Sequence, residues 1–574
     1  MSTKSQAEKT HKNSFSKLFY NVNILAVIFP LTMIIPNVIL DITESMSIWA
    51  KIANILVPLS IYMLLISNSH KTGRTILFLL IMIVMNSMQL VILYLYGESI
   101  IAIDMLLNCL TTNPSEASEL LSNLWFPIII CIVVYIPQIL WAIFACFKKL
   151  KSGAELRGKL KKIGLIGLGA GIVFAVIAQL VGPRFAVNRD IYPFNVISNI
   201  GSALGRTWKS VNYHETSADY RFNAVDTHDS IENDLYVLVI GETSRAGNWE
   251  LFGYERETNP RLNRRTDIVR FPLAISQSNT THKCVPMMLT DITTETFDSI
   301  MYRKSITTAF KEAGYYTAFF SNQAKNGSYT QFFSEEADTV CYLEEADHFD
   351  MNLLPLLYNL IHDNSGRKQF VILHSYGSHF NYKERYPVQY SYFEPDNASN
   401  ANKNNRAQLI NAYDNSIRYT DHFLDSIISM VEATGRRSAV IFTSDHGEDI
   451  FDDSRGRFLH ASPTPTYYQL HVPMFVWMSD KYENCYPDIA TNLRNNSDKY
   501  VAPSQSMFHT LLDISGIMTD FNDPRNSLAY DRFSSPKPLY LSDYNDGVPL
   551  EESGLKSPDI EHFVELGILN NIDK

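Results

Sequence analysis

Two hydrophobic runs in the second half of the chain end in residues suited to metal chemistry. Leu235-Tyr-Val-Leu-Val-Ile-Gly leads into Glu242, and Ala439-Val-Ile-Phe-Thr-Ser leads into Asp445 and His446. Two carboxylates and an imidazole make an O/O/N set compatible with zinc, with one position left for a nucleophile or substrate. Either motif alone reads equally well as a helix cap or a solvated strand end; the pair is harder to explain that way. Between them lies Ser278-Asn-Thr280-Thr281-His282-Lys283-Cys284-Val285-Pro286, a polar turn entering an apolar segment. A threonine there could be a nucleophile, because coordination to zinc favours the alkoxide. It could equally be an N-cap, and spacing does not choose between Thr280 and Thr281. His379, in His374-Ser-Tyr-Gly-Ser-His379, and His460, in Arg457-Phe-Leu-His460, offer a proton donor, a phosphate contact or a further metal ligand. Taken singly, each is more often an ordinary loop or core histidine.

These residues need a scaffold that brings distant segments together. From Leu235 onward, short β-branched or aromatic runs alternate with helical segments, the pattern of an α/β sheet. Expected strands are Leu235–Gly241, Thr317–Ser321, Phe370–Leu373, Ala439–Thr443 and Pro473–Trp477, with helices at Ser305–Ala313 and Gln408–Thr434. Ligands in such sheets gather beyond the carboxyl ends of the strands, where Glu242 and Asp445 fall.

The first 183 residues are of another kind. Leu18–Leu40, Trp49–Ile66, Thr75–Gly97, Leu120–Phe147 and Ile163–Pro183 each have about the ~20 nearly uncharged residues needed to cross a bilayer. Lys and Arg crowd the segment before the first span and the loops after the second and fourth, whereas Glu98 to Glu119 has none. The positive-inside rule then puts everything after Pro183 outside the cytoplasm. The expected organisation is a five-helix transmembrane domain (1–183), a connector (184–234) and a soluble catalytic domain (235–574). In the connector, Ile197, Ile200, Leu204 and Trp208 share one helical face, as in a helix lying on lipid. With 49 Lys+Arg against 60 Asp+Glu, a net charge of −11 excludes a general nucleic-acid binder.

The ordered series Val239-Ile-Gly-Glu242-Thr-Ser-Arg-Ala, Gly253-Tyr-Glu-Arg-Glu-Thr-Asn-Pro260, Ala313-Gly-Tyr315, Tyr413-Asp-Asn415, Ser444-Asp-His-Gly-Glu448 and Phe458-Leu-His460 resembles the bacterial phosphoethanolamine transferases. These are inner-membrane enzymes of the alkaline phosphatase and sulfatase superfamily, and the resemblance spans almost the whole chain. It implies a sulfatase-like sheet sandwiched by helices, a periplasmic catalytic domain and zinc held by Glu242, Thr281, Asp445 and His446. It selects Thr281, five positions before Pro286, as nucleophile. It also implies that His379 and His460 bind the phosphorylated substrate, and that Asn108, Thr112 and Glu116 engage an ethanolamine head group. Asn113-Pro-Ser-Glu116 reads as well as a capping box with an N1 proline. The family's best-known branch has a disulfide-stapled outer domain. Here only Cys284, Cys341 and Cys485 lie outside the membrane half, which allows at most one bridge within a monomer.

The implied reaction is double displacement: Thr281 takes phosphoethanolamine from phosphatidylethanolamine, diacylglycerol leaves, and lipid A or a core sugar of lipopolysaccharide accepts the group. Two alternatives keep the same architecture. One uses phosphatidylglycerol as donor, in the manner of lipoteichoic acid synthases; the other is a membrane sensor that binds metal without chemistry.

Overall fold

In the computed structural model of the chain, the described residues are 19–570 apart from 45, 98, 112–117, 119–120, 122–123, 183–184, 229–231, 344–346 and 399. They divide into two compact units, one of residues up to 106 together with 124–203, the other of residues 107–123 and 204–574.

The first unit is helical. Among the described residues, four helices are long and apolar enough to cross a membrane: α1 (Val22–Thr43), α2 (Ile48–Ser67), α5 (Trp125–Phe147) and α6 (Ala154–Val181). The third expected span is a pair, Thr72–Phe78 and Leu80–Tyr96 (together α3), bent by 57° at Leu79; counted as one span it makes five. Helix α1 is interrupted at Ile34, where Pro36 opens the next segment. Its ring cannot donate to the helix ladder, so the break falls just ahead of it. Helices α2 and α6 touch along glycines. A Cβ at Gly164, Gly167 or Gly171 would come within about 3 Å of Leu64, Ser60 or Val57 respectively. Such small residues let two backbones approach closely in an environment with no hydrophobic drive for association. A buried polar network centres on Tyr192 in the same unit. Tyr192 donates its N–H to Asn54 Oδ1 (3.3 Å) and its hydroxyl to Asn86 Oδ1 (2.7 Å), while its carbonyl accepts from Asn37 Nδ2 (2.7 Å).

Two further helices are α4 (Ile103–Thr111) and α7 (Phe194–Val211). On α7 the apolar side chains expected to share a face, Ile197, Ile200, Leu204 and Trp208, are exposed, whereas Asn195 and Asn199 are buried. That is the reverse of a helix packed on a water-soluble core.

The second unit is built on a seven-stranded sheet of β1 (Leu235–Gly241), β2 (Ile268–Arg270), β3 (Tyr316–Ser321), β4 (Thr339–Tyr342), β5 (Gln369–His374), β6 (Ser438–Ser444) and β7 (Met474–Met478). Their order is β2-β7-β6-β1-β5-β3-β4. From β6 to β4 all neighbours are parallel, and β7 runs antiparallel to β6 and β2. Strand β1 is central and buried at every residue. It therefore reads as an unbroken apolar run, without the alternation of a half-exposed strand. All five expected strands are present. Edge strands β2 and β4 were not foreseen; at three and four residues, partly exposed, they are too short to show a period. The expected helices are seen as Ile306–Glu312 and, as α9, Arg406–Glu432.

Candidate active site

Register explains how residues 203 positions apart meet. Strands β1 and β6 are parallel neighbours with Gly241 opposite Ser444, so Glu242 and Asp445 leave the sheet side by side. Both carboxyls are buried, as is His446. Thr281 is the first residue of α8 (Thr281–Met288), where the helix dipole favours negative charge on its oxygen. Thr280, the N-cap, makes no side-chain capping bond. Of the two threonines it is Thr281 that reaches the cluster. Its hydroxyl donates to Glu242 Oε2 (3.1 Å) and lies 3.2 Å from His446 Nε2.

The imidazole of His446 is oriented by its own backbone. Nδ1 bonds to the Gly447 carbonyl (2.9 Å), which leaves the Nε2 lone pair directed at Thr281 and at Asp445 Oδ2, 3.3 Å away. A loop after β5 closes another side. Gly377 has φ +53°, and a Cβ there would lie 2.6 Å from the Glu242 carbonyl, so this left-handed close approach needs glycine. The same loop carries His379, whose ring centroid is 6.2 Å from that of His460; His460 in turn lies 4.3 Å from His446. Nδ1 of His460 is 3.2 Å from Glu448 Oε2, and Tyr382 donates its hydroxyl to Glu448 Oε1.

The electrostatics call for a cation. Burial raises the Asp445 carboxyl well above its usual range, and the neighbouring Glu242 charge raises it further. Burial also works against ionised Glu242, yet His446, His379 and His460 draw it down to about 2. Two desolvated carboxyls this close cannot both ionise without positive charge between them. Asp445 Oδ2 is buried with no hydrogen-bond partner among the described residues, an acceptor that a metal would satisfy. One ligand atom each from Glu242, His446 and His460 lie within 4.8 Å of one another. His460, expected as a substrate contact, is thus also within reach of a bound ion. Burial and the neighbouring His446 hold its pKa well below the usual range, so its ring is neutral, as a ligand must be. The residues present therefore fit a divalent metal of zinc type.

Two contributors were absent from the sequence reading. Gln323 donates Nε2 to Glu242 Oε2 and to the Ser375 carbonyl (2.9 Å each), fixing the carboxylate that faces Thr281. Glu448 appeared only as part of a motif. The position of Gln323, two residues beyond β3 at the carboxyl edge of the sheet, was the available signal. Of the residues expected to engage the head group, Asn108 lies on α4; Thr112 and Glu116 are outside the described residues. The six cysteines are free thiols, and Cys284 is a packing residue whose burial pushes its pKa to about 12.

Beside the nucleophile loop is a cavity of about 260 Å³ lined by His282, Lys283, Arg206, Met301, Ile300 and Tyr329 among others. It combines apolar walls with basic side chains.

Residues 234–517 match the Sulfatase family model. Phosphoethanolamine transferase EptA of Escherichia coli K12 is 26% identical over 445 residues, covering 73% of this chain and 78% of that protein. The zinc complex of the C-terminal periplasmic domain of EptC from Escherichia coli superposes with a TM-score of 0.53 at 26% identity, covering 59% of this chain and 97% of that one. The integral membrane lipooligosaccharide phosphoethanolamine transferase A of Neisseria meningitidis shares the fold over 89% of this chain and 99% of its own, with a TM-score of 0.71 at 21% identity.

Proposed function

We propose that the chain is a bacterial phosphoethanolamine transferase, a reading supported by its Sulfatase family match and its similarity to EptA and EptC, and that it moves phosphoethanolamine from phosphatidylethanolamine to lipid A or a core sugar of lipopolysaccharide. The observation that carries the reading is the Thr281 hydroxyl, held at a helix start within hydrogen-bond distance of Glu242 and His446. Binding, metal-sensing or transport alone would need no hydroxyl so placed.

In the proposed first half-reaction, the Thr281 hydroxyl gives its proton to solvent and its oxygen attacks the donor phosphorus. The bond from phosphorus to the diacylglycerol oxygen breaks, and that oxygen is protonated by His379, since the His460 ring is held neutral. Phosphoethanolamine is left on Thr281. In the second, an acceptor oxygen gives its proton to His379, attacks the phosphorus, and the Thr281 oxygen leaves and regains a proton from solvent. Zinc held by Glu242, Thr281, Asp445 and His446 would supply the positive charge that eases loss of the threonine proton and offsets charge on the phosphoryl oxygens. Gln323 keeps Glu242 aimed, and Glu448 keeps His460 aimed. The cavity lined by Arg206, Lys283 and Met301 suits a glycerophospholipid, with basic groups for the phosphate and apolar surface for the glycerol ester region. Asn108, Thr112 and Glu116 are proposed to receive the ammonium. The protein is proposed to be a multi-pass inner-membrane enzyme with residues 235–574 in the periplasm and the apolar face of α7 on the lipid surface.

Purified full-length protein offered phosphatidylethanolamine or phosphatidylglycerol vesicles should release diacylglycerol from the first. Release from phosphatidylglycerol alone would overturn the donor assignment in favour of a glycerophosphate transferase.

A further inference from the structure

Apart from the cavity beside the nucleophile loop, the second unit holds one of about 320 Å³ that the proposed reaction does not use. Its walls include Arg245, Arg406, Asp452, Asn248, Tyr254 and Tyr468; Ile410 is the one aliphatic side chain among its described lining residues. Acyl chains would find little to pack against there. Two guanidinium groups face one carboxylate: Arg245 Nη1 is 2.7 Å from Asp452 Oδ2, and Arg406 Nη2 is 2.9 Å from Asp452 Oδ1. The lining therefore carries one net positive charge.

Arg245 is the more informative of the two. It is 4% exposed, sandwiched against Tyr413 and Tyr468 with its guanidinium 5.4 and 5.2 Å from the ring centroids. Its Nε bonds to Asn248 and its Nη1 to Asp452 and the Glu448 carbonyl, but its Nη2 has no acceptor among the described residues. Arg406 likewise uses Nε on the Ile450 carbonyl and Nη2 on Asp452, with no acceptor described for Nη1. Nor is an acceptor described for the hydroxyl of Tyr468. These donors are open to the cavity, where an anionic ligand can accept from them.

We propose that this cavity binds a small oxyanion carried on a polar ring, the chemistry shared by acidic sugars and sugar phosphates. The paired arginines supply charge-assisted donors for a carboxylate or phosphate. The tyrosines offer flat faces and hydroxyls for a ring, the volume admits a group of monosaccharide size, and the polar lining offers little to a lipid tail. Arg245 lies three residues after Glu242, and its Nη1 bonds to the backbone of Glu448, whose side chain reaches His460. The cavity wall and the catalytic cluster thus share two chain segments. As a statement about the acceptor, a saccharide bearing negative charge, the inference rests on the proposed function; as a statement about binding, it does not.

The test is ligand-observed NMR titration of full-length protein in detergent micelles with glucuronate, glucose 6-phosphate and glucose. Binding of the two charged ligands but not glucose is expected, weakened at least tenfold in Arg406→Gln and in Tyr468→Ala, each first checked for an unchanged melting profile. Preference for one charged ligand would identify carboxylate or phosphate as the natural group. Absence of binding by both, equal binding of glucose, or unchanged affinity in both variants would overturn the site. Diacylglycerol release by the wild type, measured in parallel, keeps the two readings apart. Release without sugar binding removes only the cavity; sugar binding without release removes only the transferase.

Discussion

The hydroxyl of Thr281 and the amide of Gln323 both address Glu242, and they make opposite predictions. Thr281→Ala should abolish diacylglycerol release yet leave most of the bound zinc in place, because Glu242, Asp445 and His446, the other proposed ligands, remain. Metal analysis of the purified variant beside its turnover checks both halves of that statement. Gln323→Ala removes no ligand but frees the Glu242 carboxylate to turn. Loss of such an outer partner costs about 10–100-fold in metal affinity, which chelator competition would read directly. A third residue acts through stability. Burial would raise the Asp452 carboxyl, but Arg245 and Arg406 more than offset this and hold it below the ordinary value of 3.8. A depressed carboxyl stabilises the fold above its unfolded pKa, and that contribution is lost as pH falls through the lower, folded one. Asp452→Asn should therefore cost about 3–5 kcal/mol by leaving Arg245 buried and uncompensated. It should also remove part of the acid sensitivity below about pH 4. Thermal unfolding against pH would show both effects.

At the scale of elements, the contact of α2 with α6 depends on what glycine lacks. A side chain at Gly171 would meet Val57 at 2.7 Å and one at Gly167 would meet Ser60 at 2.5 Å, whereas Gly169 has nothing within 4 Å. Gly167→Leu and Gly171→Leu should lower the melting temperature and the yield of monodisperse protein, with Gly169→Leu close to wild type. Equal behaviour of all three in size-exclusion chromatography would show that the helices do not pack through this seam. The sheet makes the complementary point. β1 and β6 contribute no chemistry of their own, yet their parallel register is what sets Glu242 beside Asp445.

For the whole molecule, the proposed reaction draws on a half with helices apolar enough to cross a membrane and a half that carries Thr281 and the proposed donor cavity. Mass spectrometry of envelope lipids from cells with and without this protein should show a phosphoethanolamine-sized addition to lipid A or core sugar only where Thr281 is intact. An addition that persisted with Thr281→Ala would assign the transfer to another protein.

The sequence by itself determined the bipartite architecture, because bilayer-length apolar runs and buried central strands are written as uninterrupted hydrophobic stretches. It also placed Glu242, Asp445 and His446 at strand ends, because the carboxyl edge of a parallel sheet is fixed by chain direction. Spacing left Thr280 and Thr281 open; resemblance chose Thr281, and the tertiary structure shows why it reaches the cluster, through the start of α8. Gln323, Glu448 and the arginine-lined cavity were not legible. Each depends on side chains from segments tens to hundreds of residues apart, and no local period or motif records such meetings. The bend at Leu79 and the two short edge strands were hidden for the opposite reason: they are local, but too brief to leave a pattern.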